Sequence, residues 1–250
     1  MLRRIPSLAI WAAYGLVTIA HFPIVAVTYL VTAPFDPGRY AAGRWVRRAA
    51  VMCVRCNPLW RFRVSGKLIE DPRRPYVVVA NHQSFADIFL LSHLPWEMKW
   101  LSKEAIFKVP VMGWMMKMAG DIPVKRGRAE SRARALEGIK DRLAKKVSVM
   151  IMPEGTRSRT DTMLPFKNGA FLAAVDTGCP ILPIAIGGTR PAIPADSMYF
   201  GKAVAEARVL EPVETAGLTR KDVPELKERV RRMIEEGRDE LERKLAERAR

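Results

Sequence analysis

Cysteine is nearly absent, with three residues in 250, at positions 53, 56 and 179. So sparse and odd a set excludes the disulfide framework of a small secreted domain. Cys53 and Cys56 form one Cys-x-x-Cys with no second pair, and only His21, His82 and His93 are available to complete a zinc site. Structural zinc takes four ligands at short, recurring spacings. The cysteines therefore read as buried or interfacial thiols, and no metal is expected. Acidic residues are also in short supply, 26 Asp and Glu against 42 Lys and Arg, for a formal net charge of +16. This imbalance is silent about fold but favours acidic partners: nucleic acid, anionic headgroups or phosphorylated substrates. Low-complexity linkers and internal repeats are missing too, and 49% of the residues are hydrophobic, which argues against disorder.

Charge of either sign is lacking from Leu8 to Ala33. The stretch is too long for a secretory signal and has no clear small-residue cleavage site. Basic residues flank both ends, Arg3 and Arg4 before, Arg39, Arg44, Arg47 and Arg48 after. Basic flanks prefer the cytoplasmic side. His21 and Pro23 sit mid-stretch, and proline kinks or breaks a helix. The reading is a membrane-dipping hairpin, ahead of a single crossing or a buried soluble helix pair. Each half, about 20 Å as a helix, falls short of the roughly 30 Å bilayer core. Next, residues 38–56 interleave Arg39, Arg44, Arg47, Arg48 and Arg55 with Tyr40, Trp45, Val46, Val51 and Met52. Such a helix suits an anionic bilayer surface; the solvated face of an ordinary helix fits equally well.

From Leu59 the pattern changes. Strands are expected at 60–64, 75–80, 99–102, 122–124, 147–152, 181–186 and 204–210. Between them come helices at 84–94 (with Ser84 as N-cap), 110–119, 129–145 and 166–177, and a long charged helix runs from Val223 to the end. Alternation of this kind implies an α/β fold, a mixed central sheet flanked by helices, preceded by an N-terminal membrane-associated helical segment. The organisation expected is residues 1–58 as that segment and 59–250 as the α/β domain with its C-terminal charged helix.

Four segments carry chemistry. Asn81-His82-Gln83-Ser84-Phe85-Ala86-Asp87 follows a buried strand and opens a helix, where crevices form in open α/β sheets. Asp87 can orient the His82 imidazole, leaving its other nitrogen as a base for a hydroxyl. Alone, His-x4-Asp is common by chance. Met152-Pro153-Glu154-Gly155-Thr156-Arg157-Ser158 follows another buried strand. Gly155 permits close backbone approach, and Thr156 and Arg157 offer donors suited to phosphate; alone, the segment reads equally as a turn with a surface ion pair. Lys125 and Arg126 close Gly120-Asp121-Ile122-Pro123-Val124-Lys125-Arg126, a pair of cations for a dianion or a solvated basic loop. Ile181-Leu182-Pro183-Ile184 places proline inside an apolar strand, which implies a sheet edge or a functional bend. The apolar run 109–118 has the methionines and Trp114 of an acyl pocket, though such a stripe is more often core.

In this order and at these separations, the four segments resemble the blocks of the glycerolipid acyltransferases, specifically the 1-acyl-glycerol-3-phosphate acyltransferases. The resemblance covers roughly 75–188 and includes Lys103-Glu104, Pro110 with Gly113, and 166–170. It implies His82 as general base and Asp87 as its orienting partner. It further implies Arg126, Glu154, Gly155, Thr156 and Arg157, with Lys125 beside them, as the glycerol-phosphate set, and Pro183 as support for catalysis or the acyl donor. The implied reaction is direct transfer from acyl-CoA or acyl-carrier protein to lysophosphatidic acid, giving phosphatidic acid, with no cofactor, at the cytoplasmic face of a phospholipid bilayer. Three positions depart from the family pattern: Met152 replaces Phe, Pro123 an aromatic or aliphatic residue, and Lys125 a frequent Asp. Two other readings remain: the same machinery acting on another lysolipid, and a non-catalytic basic protein bound to membrane or nucleic acid. No helix-turn-helix, zinc-finger or RNA-binding signature is present, so no nucleic-acid partner is expected.

Overall fold

A computed structural model of the chain describes residues 4–125, 127–194 and 197–249. Two helices come first, α1 (Arg4–Thr32) and α2 (Tyr40–Arg55). Seven strands follow: β1 (Trp60–Gly66), β2 (Val77–Ala80), β3 (Met98–Lys103), β4 (Ile122–Val124), β5 (Ser148–Ile151), β6 (Ile181–Gly187) and β7 (Ala203–Val209). Between them run α3 (Asp87–Leu91), α4 (Met112–Ala119), α5 (Ala129–Ala144) and α6 (Gly169–Thr177), and α7 (Val223–Ala249) follows the last strand.

The strands form one sheet in the order β1-β7-β6-β2-β5-β3-β4. All neighbours are parallel except β6 and β7, so the sheet is mixed, as expected. Side chains alternate across it. Val77, Val79, Val149, Ile151 and Ile181 pack with α5, α6 and α7 on one face. Val78, Ala80, Met150, Leu182 and Ile184 pack with Leu90, Leu91 and Trp96 on the other. Both faces are covered, which explains why β2, β5 and β6 are continuous apolar runs.

The hairpin expected at His21–Pro23 does not form. One helix passes through both residues, with Pro23 inside it and exposed. A turn there would strip several backbone groups of partners in apolar surroundings, whereas proline within a helix forfeits one amide donor. His21 also ties its turn through Nδ1 to the Val17 carbonyl at 2.9 Å. α1 is long and apolar enough to cross a membrane by length and composition. Ile10 and Tyr14 pack against Trp60, Phe89 and Phe200, while Leu8, Leu16, Ile19, Ile24, Val27, Leu30 and Val31 are exposed.

A buried ionic cluster docks α2 on the sheet. Arg47 donates to Asp121 at 2.6 Å, and Lys99 pairs with Glu97 at 2.9 Å while donating to the Arg39 carbonyl. Burial pushes the Glu97 carboxyl up and the Lys99 ammonium down in pKa. Each charge therefore depends on its partner. Gly43 admits the cluster, since a Cβ there would lie 2.0 Å from Glu97 Oε1.

Pro183 occupies a central strand, not an edge, and lies buried within β6. Leu210 N–H donates to its carbonyl at 3.0 Å. The reciprocal bond is the one proline cannot make, and Leu210 falls just past the end of β7, so the loss comes at the end of the ladder. The helix expected from Ser84 begins instead at Asp87, because the Gln83 and Ser84 amides turn back onto the Asp87 carboxylate.

Candidate active site

β2 and β5 are adjacent and parallel, so their carboxyl ends deliver the His82 and Glu154 loops side by side. That edge is where a ligand crevice opens in an α/β sheet.

Asp87 lies at the start of α3 and is fully buried. Its Oδ2 accepts the His82 ring at 2.8 Å, the Gln83 amide at 2.8 Å and the Ser84 amide at 3.0 Å. The Thr189 hydroxyl donates to Oδ1. Four donors converge on one carboxylate, so it acts as the acceptor throughout. In the neutral imidazole the proton then sits on Nδ1, facing Asp87, and the lone pair on Nε2. With 15% of its side chain exposed, His82 is reachable.

Glu154 grips the same loop from β5. Its Oε1 accepts the His82 backbone amide at 2.7 Å, and its Oε2 accepts the Leu164 amide at 2.8 Å. The Ser158 amide then donates to the His82 carbonyl at 2.9 Å. Burial raises the Glu154 carboxyl above the usual carboxylate range, opposed by these two backbone bonds. The family resemblance groups Glu154 with the phosphate binders; in the structure both its oxygens accept backbone amides.

The remaining residues separate by position. Gly155 adopts a φ of 71°, where a side chain is strained, and a Cβ would meet the Lys167 ammonium at 2.4 Å. Thr156 is exposed and Arg157 half-buried on the same loop. Among the described residues Arg157 makes no hydrogen bond or ion pair, leaving its guanidinium available to an anion. Lys125 is exposed after β4, its amide held by Ser131 Oγ at 2.8 Å. Three strand spacings, roughly 14 Å, separate β4 from β2. Arg126 lies outside the described residues. Pro183 pairs in register with Val79 of β2 and stays in the sheet interior.

Four supporting residues have roles that the sequence pattern does not assign, although Asn81 and Gln83 lie inside the His82 segment. Thr189 is hidden after Gly187-Gly188, which signals only a strand's end. Asn81 clamps β2 to β6, donating to the Ile186 carbonyl and accepting its amide. Gln83 donates to Glu242 of α7 at 3.0 Å, and Glu242 also accepts the Gly188 amide. Nothing in the charged pattern of α7 sets Glu242 apart.

An apolar cavity of about 100 Å³ opens beside this edge. Phe85, Ile88 and Phe89 line it with Ala50 of α2 and Met115 and Met116 of α4. The methionine stripe of α4 is thus cavity wall as well as core. Among the described residues no three His, Cys, Asp or Glu side chains converge as metal ligands. The cysteines are free thiols, with Cys53 buried and its pKa pushed up to about 12 by burial.

Comparison with known proteins matches residues 61–187 to the acyltransferase family model. A 1-acyl-sn-glycerol-3-phosphate acyltransferase of Chlamydomonas reinhardtii is 36% identical over 68% of this chain and 52% of its own length. The chloroplastic Brassica napus enzyme of the same name is 44% identical over 56% of this chain and 41% of its own. The human alpha enzyme is 36% identical over 68% and 61%. This chain spans about half the length of the curated relatives it matches. The crystal structure of the 1-acyl-sn-glycerophosphate acyltransferase PlsC from Thermotoga maritima superposes with a TM-score of 0.64 at 25% identity, covering 93% of this chain and 97% of that one.

Proposed function

Because the chain belongs to the acyltransferase family, we propose that it acylates the sn-2 hydroxyl of 1-acyl-glycerol-3-phosphate from acyl-CoA or acyl-carrier protein, giving phosphatidic acid. The observation that carries this reading is the His82–Asp87 pair, held at 2.8 Å through Nδ1 so that Nε2 is not engaged by the carboxylate.

His82 Nε2 takes the hydroxyl proton as the oxygen attacks the thioester carbonyl. The tetrahedral intermediate collapses with cleavage of the carbon–sulfur bond, and the imidazolium returns the proton to the departing thiolate. Asp87 stabilises the imidazolium between the two steps. Arg157 and Arg126 hold the acceptor phosphate, assisted by Thr156, the close-approach backbone at Gly155, and Lys125. Glu154 holds the His82 loop in place, and Pro183 supports the strand beside it. The apolar cavity between Phe89 and Met115 receives an acyl chain, and its flexible methionines let it widen.

Both lipids live in a bilayer, which fits the exposed apolar side of α1 and the arginines of α2. The domain then sits at the cytoplasmic face, where the thioester donors are soluble. A second lysolipid acceptor is favoured only by Lys125, which adds a cation where the family often has Asp. Purified protein assayed with labelled acyl-CoA and acyl-carrier protein against a panel of lysolipids tests the reading. Phosphatidic acid should dominate the products. Equal or greater turnover on a lysolipid without a phosphomonoester overturns the acceptor assignment, and no transfer to any acceptor overturns the enzyme.

A further inference from the structure

A second concavity, of about 490 Å³, lies between α1, α2 and the turn after α3. It is separate from the catalytic edge. Asp87 begins α3, whereas Ser92, His93, Leu94 and Pro95 at its far end help line this pocket, on the order of 9 Å further along the chain's rise. Neither His82 nor the loop after β5 contributes to the lining.

Its chemistry is one-sided. Arg44, Arg47, Arg48 and Arg55 reach it from one side of α2, and His21 and His93 from α1 and the turn. Among the described residues no carboxylate lines it. Arg47 is committed to the buried cluster beneath. Arg44 donates to the Pro95 carbonyl, a neutral acceptor, and Arg48 stacks over the Trp45 ring at 4.5 Å. Among the described residues Arg44, Arg48 and Arg55 have no acidic partner. Both histidines spend Nδ1 on a backbone carbonyl four residues earlier, Val17 at 2.9 Å and Phe89 at 2.9 Å, which leaves each Nε2 for something else. Three uncompensated guanidiniums in one hollow suit a doubly charged phosphate monoester better than a singly charged diester.

The surroundings point to where that phosphate comes from. His21 sits midway along α1 on its packed side, with exposed Ile24 next to it and exposed Leu16, Ile19 and Val27 on the outward side of the same helix. A headgroup in the pocket would sit against a helix whose outward side is apolar, as no soluble nucleotide requires. We propose that this pocket is a second lipid site, which binds the phosphomonoester headgroup of a bilayer lipid such as phosphatidic acid without taking part in acyl transfer. The proposal rests on the bilayer apposition inferred above, so its test separates the two.

The three histidines allow both sites to be read at once by ring NMR, since His21 and His93 report on the pocket and His82 on the catalytic edge. Titration with soluble dihexanoyl phosphatidic acid should shift His21 and His93 with a midpoint distinct from that of His82. Arg48→Gln with Arg55→Gln should weaken the pocket response roughly tenfold or more and leave the His82 response intact. Vesicle flotation supplies the membrane arm. The protein should prefer phosphatidic acid over phosphatidylglycerol vesicles matched for surface potential, and the double variant should lose that preference while still binding phosphatidylcholine vesicles. Failure to bind any vesicle, with the NMR response present, removes the bilayer reading but keeps the pocket. Equal response to inorganic phosphate makes it a free-anion site and overturns the lipid. Unshifted His21 and His93 rings, or a double variant whose only change is a higher KM for the acyl donor, overturn the proposal outright.

Discussion

The carboxylate of Glu154 accepts the backbone amide of His82 at 2.7 Å, joining two loops 72 residues apart. A second bond in the opposite sense, from the Ser158 amide to the His82 carbonyl, holds the other side of the same residue. The imidazole is therefore placed by two strands at once, β2 through the chain and β5 through Glu154.

That arrangement separates positioning from binding at residue 154. Glu154→Gln replaces one acceptor oxygen by an amide nitrogen, which faces an N–H it cannot accept. Loss of the grip on the loop should lower kcat by roughly ten- to a hundredfold, through misplacement of the base. KM for the phosphorylated acceptor should barely change. A variant with normal kcat and raised acceptor KM would mean that the carboxylate contacts substrate.

His82→Ala should fold normally and lose about a thousandfold or more in kcat. Asp87→Asn should fall nearly as far, because an amide offers one acceptor oxygen where the carboxylate takes four donors and permits the wrong tautomer. Turnover near that of the parent protein in His82→Ala would reject the general-base role.

Thr189 completes the set from the turn after β6. Thr189→Val removes the hydroxyl donor to Asp87 Oδ1 and should lower kcat about tenfold. Thr189→Ser should restore most of it. Equal loss in both variants would assign Thr189 to packing alone.

Arg157→Ala should raise the acceptor KM roughly tenfold or more, since a charge-assisted pair with phosphate is removed. The effect should vanish for an acceptor without phosphate. Should the donor KM alone move, the guanidinium serves the thioester's own phosphates instead.

Stability in acid should report Asp176, whose carboxyl is held down to about 2 by the Arg220 guanidinium and Lys140. A depressed carboxylate contributes stability above its unfolded value of 3.8, and that contribution is lost as pH falls toward about 2. Asp176→Asn should therefore melt below the parent protein near neutrality, with the gap closing between about pH 4 and pH 2. A gap independent of pH would detach the effect from this ion pair.

Much of this protein is legible in its amino-acid order. Apolar runs such as 77–80 and 181–187 mark strands because a sheet covered on both faces leaves no polar side to alternate. Ile122–Val124 forms the strand expected for it, and Gly120 and Gly178 end α4 and α6 in the left-handed conformation. His82 and Asp87 are legible as a pair because five residues across a strand-to-helix turn is a local relationship, which a short segment fixes by itself.

What the sequence by itself determined is thus whatever depends on neighbours along the chain: element types, the apolar and charge-free first helix, the excess of basic residues, and the residue types gathered at strand ends. Tertiary structure alone decided the rest. Pro23 stays within one helix because a break would cost more backbone bonds than the single donor it lacks. Pro183 is tolerated in a central strand because its missing bond falls at the end of a ladder. Glu154, Thr189 and Glu242 acquired their partners only when β5, β6 and α7 came together, since a carboxylate's role is set by which donors the fold brings to it, and those donors lie far away in the chain.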